Sequence, residues 1–270
     1  MARNLTGKRI VLTGASSGIG RALAVDLAKR GAKLALVARS HERLIDLASS
    51  LPGSHVIVTA DLAVDTDRER VIGTAVSKLG GIDILINNAG IASWGHFANS
   101  DEAVMREVME VNFFAPVELM RLAIPHLTNG VEPVICNVSS MCGRRGMPAW
   151  PEYSASKFAL SGLSESLRGE MARFDIDVVL AVPGMTKTNL RDNMARNEGK
   201  AKIDFEAGMP PEEVAGKIVA AIISGKSEVV IGSDAKRMLR MHRWFPRLLD
   251  KLICRKVKKL YAAEPAAAAH

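Results

Sequence analysis

The sequence predicts an open, doubly wound α/β sheet of about seven parallel strands with helices on both faces. Two observations lead there. Short apolar, β-branched runs alternate, along most of the 270 residues, with stretches whose apolar residues recur at helical spacing. Those runs show little polar alternation, as expected of strands covered by helices on both sides.

The elements follow in order. Arg9–Thr13 reads as the first strand and runs into a glycine-rich turn; Ala22, Leu23, Val25 and Leu27 then mark a helix that Gly31 closes. Strands are expected at 33–38, 55–59, 82–86, 133–138, 176–182 and 228–231. Helices are expected around Leu44 to Ala48 and at 66–79, 101–127, 151–173 and 211–224, with Pro151 suited to a first helical turn. The segment 189–209, rich in Asn and Lys and containing Gly199 and Gly208, reads as a mobile lid. No linker or repeat interrupts residues 1–233, which read as a single domain. A basic amphipathic extension is expected over 234–261, and a disordered Ala-rich tail over 262–270.

With 48% hydrophobic and 24% charged residues the chain can fill a core. Cys136, Cys142 and Cys254 are odd in number and lack metal-ligand spacing, which predicts no metal site and suits a reducing compartment. The first strand begins at once, leaving no room for a signal peptide, and no apolar run approaches the roughly 18–20 residues that span a bilayer. The expectation is a cytoplasmic protein. The net charge of +7 is local: ten of the 36 Lys/Arg and one of the 29 Asp/Glu fall within 235–259, leaving 26 basic and 28 acidic side chains elsewhere. In that tail Met238, Leu239, Met241, Trp244, Phe245, Leu248, Leu249, Leu252, Ile253, Val257 and Leu260 recur at helical spacing, and Pro246 divides the segment into two helices. Such a face either packs on the body or a second subunit, or docks peripherally on an anionic membrane. Nucleic-acid binding would rest on the tail alone, with no recognition motif in the body.

The turn Gly14-x-x-x-Gly18-x-Gly20 brings backbone N–H groups to a helix N-terminus, a place for a pyrophosphate, although its spacing departs from the generic dinucleotide fingerprint and a merely tight turn remains the alternative. After the second strand no acid precedes Glu42. Arg39 offers a planar fork of donors and Ser40 a hydroxyl, which favours the 2′-phosphate of NADP(H) over the 2′-hydroxyl of NAD(H); a solvated arginine is the alternative. Tyr153 and Lys157 are four apart and share a helical face. A phenol has a pKa of roughly 10, and a nearby cation favours its phenolate, so the pair is a candidate acid/base; a solvated face is the alternative.

Together these motifs resemble the short-chain dehydrogenase/reductase family, from about residue 6 to 232. Thr13-Gly14-Ala15-Ser16-Ser17-Gly18-Ile19-Gly20 matches the family's cofactor turn and accounts for the glycine spacing. Asp61-Leu62 matches the pair contacting adenine, Asn87-Asn88-Ala89-Gly90 the run ending the fourth strand, and Pro183-Gly184-Met185-Thr186-Lys187-Thr188 the segment along the nicotinamide. Asn112, Ser140, Tyr153 and Lys157 fall at the positions of the catalytic four, with thirteen residues from Ser140 to Tyr153. Ser17 stands where NADP-preferring relatives often carry a basic residue, so Arg39 and Ser40 carry the cofactor preference.

The resemblance implies a Rossmann-type fold, a homodimer or homotetramer through helices 101–127 and 151–173, and hydride transfer between nicotinamide C4 and a carbonyl or alcohol carbon. It implies that Tyr153 exchanges the proton and that Lys157 lowers its pKa and binds the nicotinamide ribose. Ser140 would hydrogen-bond the substrate oxygen, and Asn112 would help hold a water in a proton relay from Lys157. The rival class is a catalytically silent dinucleotide sensor or scaffold, which would be expected to lose Tyr153 or Lys157. Loops 91–98, 141–150 and 185–209 bring Trp94, His96, Phe97, Met141, Met147, Trp150, Met185 and Met194 toward the substrate side, where each lines an apolar pocket or belongs to core or interface. Arg144 and Arg145 either meet an acidic group of the substrate or are solvated; Cys142 reads as packing. The expected substrate is a small hydrophobic ketone, aldehyde or alcohol: lipid-, steroid- or acyl-like.

Overall fold

The computed structural model describes residues 2–188, 190, 193–200, 204, 207–260 and 262. Its elements, in chain order, are β1 (Arg9–Thr13), α1 (Gly18–Lys29), β2 (Lys33–Ala38), α2 (His41–Ser50), β3 (Val56–Thr59), α3 (Asp65–Leu79), β4 (Ile84–Asn87), β5 (Ala92–Trp94), α4 (Glu102–Met109), α5 (Ala115–Leu127), β6 (Val134–Val138), α6 (Pro151–Met171), β7 (Asp177–Pro183), β8 (Met194–Asn197), α7 (Pro211–Ser224), β9 (Glu228–Ile231), α8 (Ser233–Trp244) and α9 (Pro246–Leu260).

The apolar runs form one parallel sheet of seven strands among the described residues, in the order β3-β2-β1-β4-β6-β7-β9. Strand side chains alternate between two apolar layers. Leu12, Leu36, Ile86 and Val179 pack with Leu23 and Leu27 of α1 and Ile218 and Ile222 of α7, while Val11, Val37, Leu85 and Ile135 pack with Val71 of α3 and Leu119 of α5. Burial on both faces is why no polar alternation marks these strands. The chain winds outward in both directions from β1 and β4, so a crevice opens beyond their carboxyl ends.

The sheet centre is held by polar bonds as well. Buried Asp83, just before β4, accepts from the Arg9 backbone N–H at 2.8 Å, from Arg9 Nη2 at 2.6 Å and from the Val131 N–H at 2.8 Å. Asn87 Nδ2 donates to Asn137 Oδ1 at 2.9 Å, and Asn137 Nδ2 to Ser164 Oγ at 2.9 Å, which fastens α6 to the middle of the sheet. Ser154, Ser156, Ser161 and Ser164 are all buried, so α6 rests on the sheet through small side chains.

Three features differ from the sequence expectation. The helix expected over 101–127 is interrupted by a π turn, Glu110–Phe114, where the Ala115 N–H donates to the Glu110 carbonyl five residues back. Two short strands, β5 and β8, pair in parallel where only loops were expected. The expected lid is pinned at two places: β8 is paired, and Thr186 bridges Met209, with Lys187 N donating to Met209 O at 2.9 Å. Residues 189, 191–192, 201–203 and 205–206 of that segment lie outside the described residues, as do 261 and 263–270 of the C-terminal end. Pro246 divides the extension into α8 and α9, as its position suggested.

Burial alone would raise the Asp83 carboxyl, but its hydrogen bonds from Arg9 and Val131 outweigh this and hold it below its ordinary value of 3.8. Asp83→Ala is therefore expected to destabilise the fold by about 3–5 kcal/mol at pH 7, because it strands Arg9 and the Val131 N–H. Because the folded pKa is depressed, the stabilisation is present above pH 3.8 and fades as pH falls below it. Urea midpoints of wild type and variant at pH 7 and in acid check both statements.

Candidate active site

The cofactor side is a cleft of about 390 Å³ between the carboxyl ends of β1, β2 and β4. Thr13 and Asn88 tie its floor together. Thr13 Oγ1 accepts from the Asn88 and Ala89 N–H groups at 3.0 and 3.1 Å, and Asn88 Nδ2 donates to the Thr13 carbonyl at 3.0 Å. Gly14, at φ +66°, comes so close that a Cβ would lie 2.8 Å from Ala89 Cα, and a Cβ on Gly20 would collide with the Gly14 carbonyl. Ser17 precedes α1 without a side-chain cap, which leaves first-turn N–H groups available where Gly18, Ile19 and Gly20 line the cleft. Gly14, Ser16, Ser17, Arg39, Ser40, Asp61, Leu62, Asn88, Ala89, Gly90 and Thr188 line it too. This set suits a dinucleotide: uncapped amides at the glycine turn, and cations at the far end. Arg39 Nη2 reaches Asn193 Oδ1 at 3.3 Å, and Ser40 Oγ accepts the Arg43 N–H at 3.4 Å, capping α2. Arg43 also lines the cleft, which the sequence reading missed; a helix N-cap at Ser40 would have signalled it.

The cleft opens, past Ile19, Asn88, Gly90, Thr188 and Leu190, into a cavity of about 870 Å³. Ser140, Tyr153, Lys157, Pro183, Gly184 and Thr186 line this cavity. Tyr153 stands in the first turn of α6, against Trp150 at 5.8 Å between ring centroids, and Trp150 stacks on Trp94 at 6.2 Å. Burial pushes the Tyr153 phenol above its ordinary value and Cys142 adds to this, while a hydrogen bond with Ser140 pulls the other way. Lys157 Nζ donates to the Val138 carbonyl at 3.1 Å and lies 5.9 Å from the Tyr153 ring centre. Burial pushes its ammonium down to about 8. Burial is the largest influence on the phenol, and the Lys157 ammonium lies beyond hydrogen-bond reach of the ring centre. Cys142 is pushed up to about 11 by burial and stays a thiol.

Asn112 does not reach the cavity. It is fully buried in the π turn, where Oδ1 accepts the Ile91 N–H at 2.9 Å and Nδ2 donates to the Ile91 carbonyl at 2.8 Å and Ser156 Oγ at 2.9 Å. A Cβ on Gly90 would lie 3.0 Å from Asn112 Oδ1 and 3.3 Å from Lys157 Nζ, so a glycine keeps the space between them open.

Trp94, His96, Phe97, Met141, Met147, Trp150 and Met185 line the cavity; Met194, in β8, does not. Arg144 and Arg145 do not line it either. Arg144 pairs with Glu165 and Glu228, and Arg145 with Asp250 of α9, because both side chains point away into structural ion pairs. The sequence reading also missed that α9 contributes Ile253, Lys256, Val257 and Leu260 to the cavity wall. Their spacing of three and four was legible; the surface they face was not.

The family profile described as short chain dehydrogenase matches residues 8–199. The chain belongs to the short-chain dehydrogenase/reductase family. It is 35% identical over 258 residues to the uncharacterized oxidoreductase YxnA of Bacillus subtilis (strain 168), covering 93% of this chain and 72% of that one. It is 32% identical over 241 residues to the 3-ketodihydrosphingosine reductase of Bos taurus, covering 85% and 73% respectively. A short chain dehydrogenase from Burkholderia cenocepacia J2315, solved in complex with NADP, superposes with a TM-score of 0.79 at 27% identity over 93% of this chain and 99% of that one. A family structure from Burkholderia phymatum in complex with NAD has a TM-score of 0.83 at 23% identity, covering 91% and 96%, and shares the fold. This chain is accordingly an NAD(P)-dependent dehydrogenase/reductase.

In this dehydrogenase/reductase the small β5–β8 sheet covers a buried pair behind the tyrosine. Glu152, next to Tyr153, is fully buried; Oε2 accepts from Ser93 Oγ at 3.0 Å, and Oε1 lies 3.6 Å from Arg196 Nη2. Arg196 Nη1 donates to the His96 carbonyl at 3.1 Å. The pair joins β8 to the first turn of α6. Arg196→Met is expected to leave the Glu152 carboxylate buried without a countercharge and to cost about 3–5 kcal/mol, read from urea unfolding.

Proposed function

We propose that this dehydrogenase/reductase uses NADP(H), in preference to NAD(H), to interconvert a carbonyl and an alcohol on a hydrophobic lipid-, steroid- or acyl-like substrate, with Tyr153 as general acid/base. The observation that carries the reading is the convergence of Tyr153, Ser140 and Lys157 on one apolar cavity that continues into the glycine-lined cleft. The NADP(H) preference is supported by Arg39 and Arg43 in the cleft with no acid at the end of β2. A hydrophobic substrate is supported by the wall of Trp94, Phe97, Met141, Trp150, Ile253 and Val257, and by the bovine relative, which is named for the reduction of a 3-keto group on dihydrosphingosine.

Bound in the cleft, a nicotinamide cofactor supplies hydride exchange at its C4. The side chains handle the proton. Tyr153, kept protonated by its burial, donates to the substrate oxygen in reduction and recovers that proton in oxidation. Ser140 hydrogen-bonds the same oxygen as charge develops there. Lys157 below pH 8 carries a charge beside the phenol and favours the phenolate left after proton donation. Asn112 acts as a positioning residue: it fixes Ile91 and Ser156, and the gap at Gly90 between its Oδ1 and Lys157 Nζ is where a relay water would sit. Exposed Phe114 and Phe158, on the π turn and α6, support a homodimer or homotetramer through these helices.

Turnover of a panel of hydrophobic ketones, followed by NADPH absorbance and repeated with NADH, tests the reading. Tyr153→Phe is expected to fold and bind dinucleotide while losing at least about a thousandfold in kcat, within the range of a removed proton donor. Unchanged turnover in that variant overturns the mechanism. In the wild type, kcat/KM for reduction is expected to fall as pH rises through about 8, where Lys157 loses its proton, and this limb should vanish in Lys157→Met. The folded pKa of Lys157 lies below its ordinary 10.5, so its burial penalty is fully present below pH 8 and relieved as pH rises toward 10.5.

A further inference from the structure

The outer side of the α8–α9 hairpin is unlike the rest of the surface. Trp244 is 69% exposed, Phe245 61%, Leu248 51% and Leu252 45%. These four large apolar side chains gather at the corner where Pro246 divides the helices and along one side of α9. They are not the residues that face the cavity: Ile253 and Val257 lie on the inner side of α9 and line the cavity wall, and Leu249 is buried. α9 therefore carries two apolar strips, one turned inward and one presented to the surroundings. All ten Lys/Arg of 235–259 are exposed, Lys256 at the cavity wall and the others elsewhere on the hairpin, and among the described residues no carboxylate pairs with any of them. The single acid in that range, Asp250, is engaged by Arg145 of the body.

We propose that this hairpin docks the protein on an anionic membrane surface, with Trp244, Phe245, Leu248 and Leu252 entering the interface and the surrounding cations meeting lipid phosphates. Three arguments select that occupant. Aromatic rings and leucines ringed by Lys and Arg are the composition that lies in the headgroup region of a bilayer. A second copy of the chain is disfavoured, because a two-fold interface would set the ten cations against their own equivalents. A nucleic acid would meet the cations and could stack on Trp244 and Phe245, but it offers nothing to the two leucines. Among the described residues no helix is long and apolar enough to cross a membrane, so the contact is with the surface. Arg145 and Asp250 hold α9 to the body, and Asp234 Oδ2 accepts the Met185 N–H at 2.8 Å where α8 begins, so the hairpin is a fixed platform. Docking there would bring the cavity wall formed by Ile253, Val257 and Leu260 next to the acyl region, a route for an apolar substrate. The docking itself does not depend on the proposed carbonyl chemistry.

The test floats the full-length protein with phosphatidylcholine vesicles and with vesicles in which part of that lipid is replaced by phosphatidylglycerol. Partition into the anionic vesicles is expected, weakening as salt rises. Arg240→Glu with Arg247→Glu is expected to reduce it at least about tenfold, since each basic side chain near an anionic surface is worth roughly fivefold. The quadruple variant Trp244→Ala, Phe245→Ala, Leu248→Ala and Leu252→Ala is expected to reduce it comparably and to keep its circular dichroism and its NADPH binding. No partition of the wild type, or partition indifferent to both variants, overturns the proposal. So does a quadruple variant that changes molecular mass in light scattering with vesicle binding intact, which would assign the face to a second copy. Duplex DNA binding that the charge reversals abolish, with no vesicle binding by the wild type, would assign it to nucleic acid. Vesicle binding without turnover of any carbonyl would leave the docking standing and sink the proposed chemistry instead.

Discussion

The site depends on how closely the carboxyl ends of β1 and β4 are held together. Thr13 and Asn88 exchange side-chain-to-backbone hydrogen bonds across the crevice, and Gly14 presses against Ala89 where a Cβ would not fit. That contact sets the width of the glycine-lined cleft and the position of Gly90, which opens toward Lys157. The buried Asp83 with Arg9 holds the other end of the same two strands in register. Sheet pairing aligns the strands; these polar bonds determine where their ends stop relative to each other.

A second constraint places the reacting groups. α6 lies on the sheet through buried serines, so its backbone comes close enough for Ser139 Oγ to donate to the Lys157 carbonyl at 3.1 Å. The close seating removes water from Tyr153 and Lys157 together, and the two respond in opposite directions. Burial disfavours the phenolate and the ammonium alike, so the phenol rises and the lysine falls to about 8. Ordinarily close together, the two are driven apart, the phenol upward and the lysine downward, so the phenol holds its proton to higher pH than the lysine does. A partly desolvated phenol that keeps its proton at the cavity wall is suited to donating one.

Much of this was legible in local patterns. β2, α7 and β9 fall on the residues that apolar runs and helical spacing indicated, because each is decided by neighbours close in sequence. The glycine turn was recognisable because it joins one strand to one helix, and Tyr153 and Lys157 because they lie four apart on one helix; Ser140 was placed by the resemblance to the family. Other features were hidden because they join distant parts of the chain. β5 meets β8 about a hundred residues later, and Arg196 finds Glu152 beneath them. Arg144 and Arg145 look like solvent-facing cations until Glu165, Glu228 and Asp250 are brought against them. The π turn at Asn112 has no propensity signature; it forms around an amide that bonds both backbone groups of Ile91.

By itself, then, the sequence determined the alternation of strands and helices, the family, the residues that gather at the crevice and the amphipathic, basic character of the C-terminal helices. The alternation and the amphipathic character follow from periodicity and residue type, which act over a few residues at a time; the family and the crevice residues follow from the resemblance carried by several separated motifs in order. Only the tertiary structure decided which way the amphipathic faces turn: Ile253, Val257 and Leu260 toward the cavity, Leu248 and Leu252 outward. It also decided that Lys157 is desolvated rather than solvated, and so shifted to about 8. Burial is a property of what the rest of the chain places around a group, and no local pattern carries it.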